Sequence, residues 1–322
     1  MSSINSEISR LKNKDVRTRR RALRALFDID SPTALPAFVP LLEDKDPWFR
    51  TKALDAHRKW AKNSSDLEAL VEGDKECQRV AAELCSEIGD TEIATTLFQS
   101  EDWTTRSFAA RALSDDSKMV EEMAGDSHHS VRMIAGEFSK DSDIISMLME
   151  DGHSSVRRTA LATASREGLA VKESTLTKAL GTSDPSLRSL AAAMTVEQGG
   201  KLLAKACKDS NPKVRKAIAD QLRIVTKDVD ERVELVATTS PEIIIRWLRS
   251  RHDPRSTKLR WRLIADTNVD ARIRSKLLEQ MSGRPKIDVN KLAILTEDDS
   301  ALVRLAANNL SAAVSELSGE RV

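Results

Sequence analysis

The sequence predicts an all-α chain, a right-handed α-solenoid of about eleven helical hairpins. Three observations predict it. A short phrase recurs along almost the whole length, helix-start signals precede most of its copies, and apolar residues follow helical spacing. The phrase is a small polar residue, an Arg four positions on, and a small or apolar residue three further. Asp46…Arg50…Ala53, Asp102…Arg106…Ala109, Asp184…Arg188…Ala191 and Ser300…Arg304…Ala307 are copies. The Arg or its aligned residue falls at Arg19, Arg50, Gln78, Arg106, Arg132, Arg157, Arg188, Arg215, Ile244, Arg274 and Arg304, about 28 residues apart. Gln78 and Ile244 are the departures.

Each copy reads as two helices. Ser31-Pro32 opens the first helix of one unit and Asp46-Pro47 the second. A small polar N-cap followed by Pro at the first helical position suits a helix start, because Pro lacks an N–H that would be unpaired there. Asp184-Pro185, Asn211-Pro212 and Ser240-Pro241 repeat the signal. Phe49, Ala53 and Leu54, then Val214, Ile218 and Leu222, mark one face of a helix. No period-two alternation or Asn-Gly turn supports a strand.

Stacked repeats bury a core only against their neighbours, so 322 residues fit one continuous array, residues 1–322. A hydrophobic fraction of 40% with 31% charged residues suits a thin core between two wetted faces. No run approaches the ~18 apolar residues of a membrane span, and the start, MSSINSEISR, lacks the apolar core of a secretory signal. Cys77, Cys85 and Cys207 form no C-x-x-C pair, so neither a disulfide scaffold nor a zinc site is indicated. A cytoplasmic setting, no membrane partner and no cofactor are the expectations.

The net charge of +1 conceals segregation. Residues 63–153 carry 21 acids against 7 bases, and residues 201–290 carry 21 bases against 12 acids. In a solenoid, order in sequence is order in space, so these are separate surfaces able to steer partners of opposite charge. The densest basic stretch is RWLRSRHDPRSTKLRWR, with Arg246, Arg249, Arg251, Arg255, Lys258, Arg260 and Arg262 around Trp247 and Trp261. Such cations would neutralise a nucleic-acid backbone, and the two Trp would stack on bases. A solvated helix face with structural ion pairs predicts the same pattern, and 3% aromatics with no Tyr argue against a row of stacking platforms.

The D-x-x-[VLF]-R-x-x-A phrase resembles the HEAT-repeat family in its short prokaryotic, bilin-lyase-like form, over roughly residues 10–315. The resemblance implies that the repeated Arg pairs with an Asp of its own or a neighbouring repeat. Asp46/Arg50, Asp102/Arg106 and Asp184/Arg188 would be rungs of that ladder, and the second helix of each hairpin would line the concave side. Iron binding as in the deoxyhypusine hydroxylases is excluded, since no His here precedes Glu. The HEAT-like alkylpurine DNA glycosylases of the AlkD type use Trp and a catalytic Asp on a basic surface. Asp102-Trp103, and Asp266 near Trp261, supply the residue types.

His128, His129 and His153 sit with Asp126 and Asp151 at equivalent places in two repeats, which a polar helix cap explains better than a metal pair. No catalytic residue and no metal ligand is assigned. The expected role is a non-enzymatic scaffold or adaptor gripping a protein partner across the acidic section. Nucleic acid on the basic section is the competing reading, and a glycosylase the third.

Overall fold

In the computed structural model, residues 4–284 and 287–319 are described, and every regular element among them is helical. The chain divides into two compact units, the first ending at Thr163 and the second beginning at Ala164.

The first unit contains α1 (Ile4–Leu11), α2 (Val16–Ile29), α3 (Pro47–Trp60), α4 (Glu68–Val71), α5 (Lys75–Ile88), α6 (Thr91–Phe98), α7 (Trp103–Ala112), α8 (Ser117–Ala124), α9 (His129–Phe138) and α10 (Ser142–Leu148). The division falls within α11 (Ser154–Glu167). The phrase-bearing helices α2, α3, α5, α7, α9 and α11 are the second members of their hairpins. They pack side by side, α3 on α5, α5 on α7 and α7 on α9. The first members are shorter. Between α2 and α3 the chain makes only 3-10 turns, Pro32–Ala37 and Val39–Leu41, because Pro36 and Pro40 deny the backbone the N–H groups of an α-helix.

The second unit repeats the arrangement. Its first helices are α12 (Glu173–Leu180), α14 (Gly200–Cys207), α16 (Glu231–Thr239), α18 (Pro254–Ala265) and α20 (Val289–Leu295). Its second helices are α13 (Pro185–Gln198), α15 (Pro212–Val225), α17 (Pro241–Leu248), α19 (Ala271–Glu279) and α21 (Ala301–Gly319). Neighbouring second helices again pack together, α13 through α21, and α12, α14 and α16 form the other layer. Each unit is thus a stretch of α-solenoid, a layer of first helices on a layer of second helices.

The core lies between the layers and between repeats. Small and branched residues recur at matching places: Ala53, Ala81, Ala109, Ala135, Ala160, Ala191 and Ala307 have no exposed surface. Ala three positions after the anchor lets adjacent second helices approach closely, which is why the phrase requires a small residue there. Helix starts are capped by side chains, Asp46, Asp74, Asp102, Asp184 and Asn211 each accepting from N–H groups of the first turn. No helix among the described residues is long and apolar enough to cross a membrane.

Candidate functional site: the ladder, the basic stretch and an aromatic–imidazole row

The recurrent Arg sits in the first turn of its helix, and helical side chains lean toward the N-terminus. Its guanidinium therefore returns to the turn before its own helix. Arg132 Nη1 donates to the carbonyls of Asp126 and Ser127 at 2.8 and 3.0 Å. The outer edge, Nε and Nη2, faces the next repeat and grips Asp151 at 2.6 and 3.0 Å. Arg188 does the same to Asp209, and Arg157, Arg215 and Arg304 make the inward pair of bonds.

A ladder exists, but its rungs differ from the expected pairs. Asp46/Arg50, Asp102/Arg106 and Asp184/Arg188 do not form rungs. Those Asp residues are N-caps, accepting from Trp48, Thr105 and Ser186 backbone N–H groups. The acid that meets the anchor Arg lies two residues before the cap, as Asp44, Asp126, Asp151, Asp209 and Asp298. The Arg132 bonds hold the Asp151 carboxyl below the usual carboxylate range. A second series runs beside the first: Arg79 binds Asp102 through two bonds of 2.9 Å, and Arg20 binds Asp46 at 2.9 Å. The Asp102 carboxylate also accepts from the Thr105 hydroxyl. With both oxygens engaged, Asp102 stands as a structural cap rather than a free acid beside Trp103.

The basic stretch does not form one surface. On α18 the inward face is Ser256, Leu259, Arg260 and Leu263, spaced as one helical stripe and buried. Arg260, expected to contact phosphate at the surface, therefore has no exposed surface at all. Trp247 belongs to the buried stripe of α17 with Ile243, Ile244 and Leu248. Its Nε1 donates to Thr226 Oγ1 at 2.8 Å, so it offers no face to a base. Trp261 is 7% exposed and is likewise core. Arg251 lies over the Trp247 ring at 4.9 Å and donates to the Thr226 carbonyl.

The exposed cations fall in two layers. Arg246 and Arg249 of the α17 layer flank an open groove with Lys276 and Glu279 of α19, and Arg246 lies 3.6 Å from Asp220. Arg255, Lys258 and Arg262 share the outward face of α18 in the other layer, where Arg262 pairs with Glu234 of α16. Arg249, Arg255 and Lys258 make no ion pair among the described residues. Asp266 is the exposed C-cap of α18, and the burial of Trp261 keeps that pair from forming an acid beside an open aromatic face.

The feature that sequence reasoning missed lies in the first unit. His replaces Asp at the cap of two successive repeats. His128 Nδ1 accepts from the Ser130 N–H at 3.3 Å, and His153 Nδ1 meets the Ser155 hydroxyl at 2.6 Å. These rings form a row with their neighbours. Trp103 stacks on His128 at 4.0 Å between centroids, His128 touches His129 at 4.4 Å, and His129 stacks on His153 at 3.8 Å. Face-to-face rings present their nitrogens in parallel, and no group of three metal-ligating side chains occurs among the described residues. Of the three, His128 is the N-cap of α9. Partial burial and the adjacent His153 and His128 lower the His129 pKa. Trp103 remains 44% exposed. An open groove beside the row is lined by Phe98, Glu121, Glu122 and Asp126. The signal was the substitution of His for Asp at two consecutive cap positions with Trp103 one repeat earlier.

The three cysteines are free and buried, which raises their thiols to about 11 for Cys77 and about 12 for Cys85 and Cys207. They are packing residues, protonated at neutral pH.

Residues 6–73 match the family model of HEAT repeats. No curated protein matches the sequence. Similar solved structures include an engineered protein from a structural-genomics programme, at 15% identity, 98% of this chain, 99% of that one and a TM-score of 0.42. Importin beta is similar at 11% identity over 99% of this chain and 51% of its own, with a TM-score of 0.36. The complex of CpcE and CpcF of phycocyanin lyase from Nostoc sp. PCC7120 is similar at 17% identity over 76% and 95%, with a TM-score of 0.29. The family match covers the first repeats, and the anchor phrase and the Arg–Asp pairs recur in the later ones.

Proposed function

We propose that the chain is a non-enzymatic docking scaffold whose first unit grips a Lys/Arg-rich segment of a protein partner. The observation that carries this reading is the row Trp103–His128–His129–His153 within a section that holds 21 acids and 7 bases. An exposed Trp backed by stacked rings is a rigid anchor of the kind that dominates interfaces. Ring faces attract guanidinium and ammonium groups, and Glu101 in the turn before α7, with Glu121 and Glu122 on α8, supplies exposed acids. The test is fluorescence anisotropy with a labelled Arg/Lys-rich peptide, run beside duplex and single-stranded DNA and RNA at two salt concentrations. The reading expects saturable peptide binding that Trp103→Ala with Glu121→Lys and Glu122→Lys abolishes. Peptide binding indifferent to these changes would overturn it.

A nucleic-acid reading keeps one supporting observation, the exposed face of α18 with Arg255, Lys258 and Arg262. It expects duplex binding that falls steeply with salt and is lost in Arg255→Glu/Lys258→Glu. Arg260 and the two Trp of the basic stretch take no part in it.

A further inference from the structure

The ladder lapses at Ile244, where the anchor Arg is missing. At the other end of the same helix, α17, guanidiniums gather instead. Arg260 Nη2 donates to the Leu248 carbonyl at 2.6 Å and to the Arg251 carbonyl at 3.3 Å. Arg284 Nη1 donates to that same Arg251 oxygen at 2.6 Å, and its Nη2 to the Arg249 carbonyl at 3.1 Å. Arg251 itself binds the Thr226 carbonyl at 2.8 Å. Two cationic groups thus share one carbonyl oxygen, and no carboxylate bonds to any of the three Arg among the described residues.

Capping a helix C-terminus accounts for part of this arrangement. The last carbonyls of α17 need donors, and the helix end carries about half a negative charge. That is small against three guanidiniums. Capping also leaves donors over. Arg260 is fully buried, yet its Nε and Nη1 have no partner; nor does the buried Nε of Arg251. Elsewhere in this chain a buried guanidinium meets a carboxylate, as Arg274 meets Asp298. Here Asp253, the nearest acid in sequence, is turned away to cap α18 through the Ser256 N–H at 2.9 Å. Burial and the neighbouring Arg284 charge press the Arg260 pKa down to about 10 against the opposing Asp253 charge, so Arg260 stays protonated at neutral pH with no carboxylate bonded to it. A buried cation with no bonded counter-charge is costly, and an anion bonded to the spare N–H groups removes that cost.

We propose that the Arg251–Arg260–Arg284 cluster binds a small free oxyanion, inorganic phosphate or sulfate, through the unpartnered Nε–H and Nη1–H of Arg260 and the Nε–H of Arg251. The nitrogens of Arg260 have no exposed surface, which favours a free ion over a phosphate carried on a peptide or a polynucleotide. This proposal is independent of the docking surface in the first unit.

The experiment is thermal unfolding and titration calorimetry of the full chain with inorganic phosphate, sulfate, a phosphoserine peptide, and chloride at matched ionic strength. The expected result is a saturable rise in Tm with phosphate and sulfate, as ligand linkage requires, with matching calorimetric binding and none from the peptide. Arg251→Gln, at a half-buried position, should weaken phosphate binding about tenfold or more, the loss of one charged hydrogen bond, in a chain whose folding is checked by its unfolding transition in chloride. Arg260→Gln should remove it. Surface exclusion of phosphate or sulfate also raises Tm, but that rise does not saturate and survives both substitutions. A Tm that responds only in that way, equal stability in phosphate and chloride, or tighter binding of the phosphopeptide than of phosphate would overturn the proposal.

Discussion

Arg106 and Asp126 lie in successive repeats and are joined by two parallel hydrogen bonds, Nε to Oδ2 at 2.8 Å and Nη2 to Oδ1 at 2.9 Å. Their side chains are only 13% and 9% exposed. The third nitrogen, Nη1, donates to the carbonyls of Ser100 and Glu101 in the turn before α7. One guanidinium thus closes its own hairpin and fixes the next one against it. The planar fork of Arg does this with five donors in one rigid group, which a Lys cannot reproduce. The repeated phrase is therefore a device of assembly.

Asp102 is the clearest place to separate capping from ion pairing. Its carboxylate caps α7 and holds Arg79, whose bonds pull its pKa well below the ordinary range. Asp102→Asn keeps a capping oxygen and loses the charge, whereas Asp102→Ala loses both. Urea unfolding should show Asp102→Ala as the worse, by about 1 kcal/mol for the cap alone. Equal effects of the two substitutions would show that the cap contributes nothing.

Acid sensitivity should begin near the histidine range. His57 is fully buried, its Nδ1 on the Ala53 carbonyl at 2.8 Å, and burial lowers its pKa from 6.5. His129 is lowered as well. Both groups bind protons more readily when unfolded, so stability rises with pH across their range. Their contribution is complete above the unfolded value of 6.5 and is lost as pH falls through the lower folded values. The urea midpoint should drop as pH falls below about 6.5, and His57→Leu should narrow the drop. An unchanged drop in the variant would assign the effect to other groups.

Trp247 should behave as a core residue and not as a base-stacking one. Trp247→Phe removes the bond to Thr226 Oγ1 and leaves space in the α17 stripe. It should lower stability by about 1–3 kcal/mol, from the lost hydrogen bond and the imperfect filling. Binding of nucleic acid lost without any loss of stability would contradict that placement.

The hairpins were legible because the anchor phrase, Asp-Pro starts and Ala spacing are local signals that stacking reinforces. The ladder was legible in kind and misread by two residues. The cap Asp is conspicuous beside the anchor Arg, while Asp126, Asp151 and Asp209 recur six residues before it and are seen only when copies are aligned on the Arg. The basic stretch misled because charge density was read before helical phase. Residues 256, 259, 260 and 263 form one stripe, and that stripe turns Arg260 inward. The aromatic–imidazole row depends on a separation between repeats that no single repeat encodes.

The most direct test of the ladder is a double-mutant cycle on Arg106→Gln and Asp126→Asn, followed by urea unfolding. An assembly role predicts that each single change destabilises and that the pair couples by about 1–3 kcal/mol. Additive effects within about 0.5 kcal/mol would contradict the ladder.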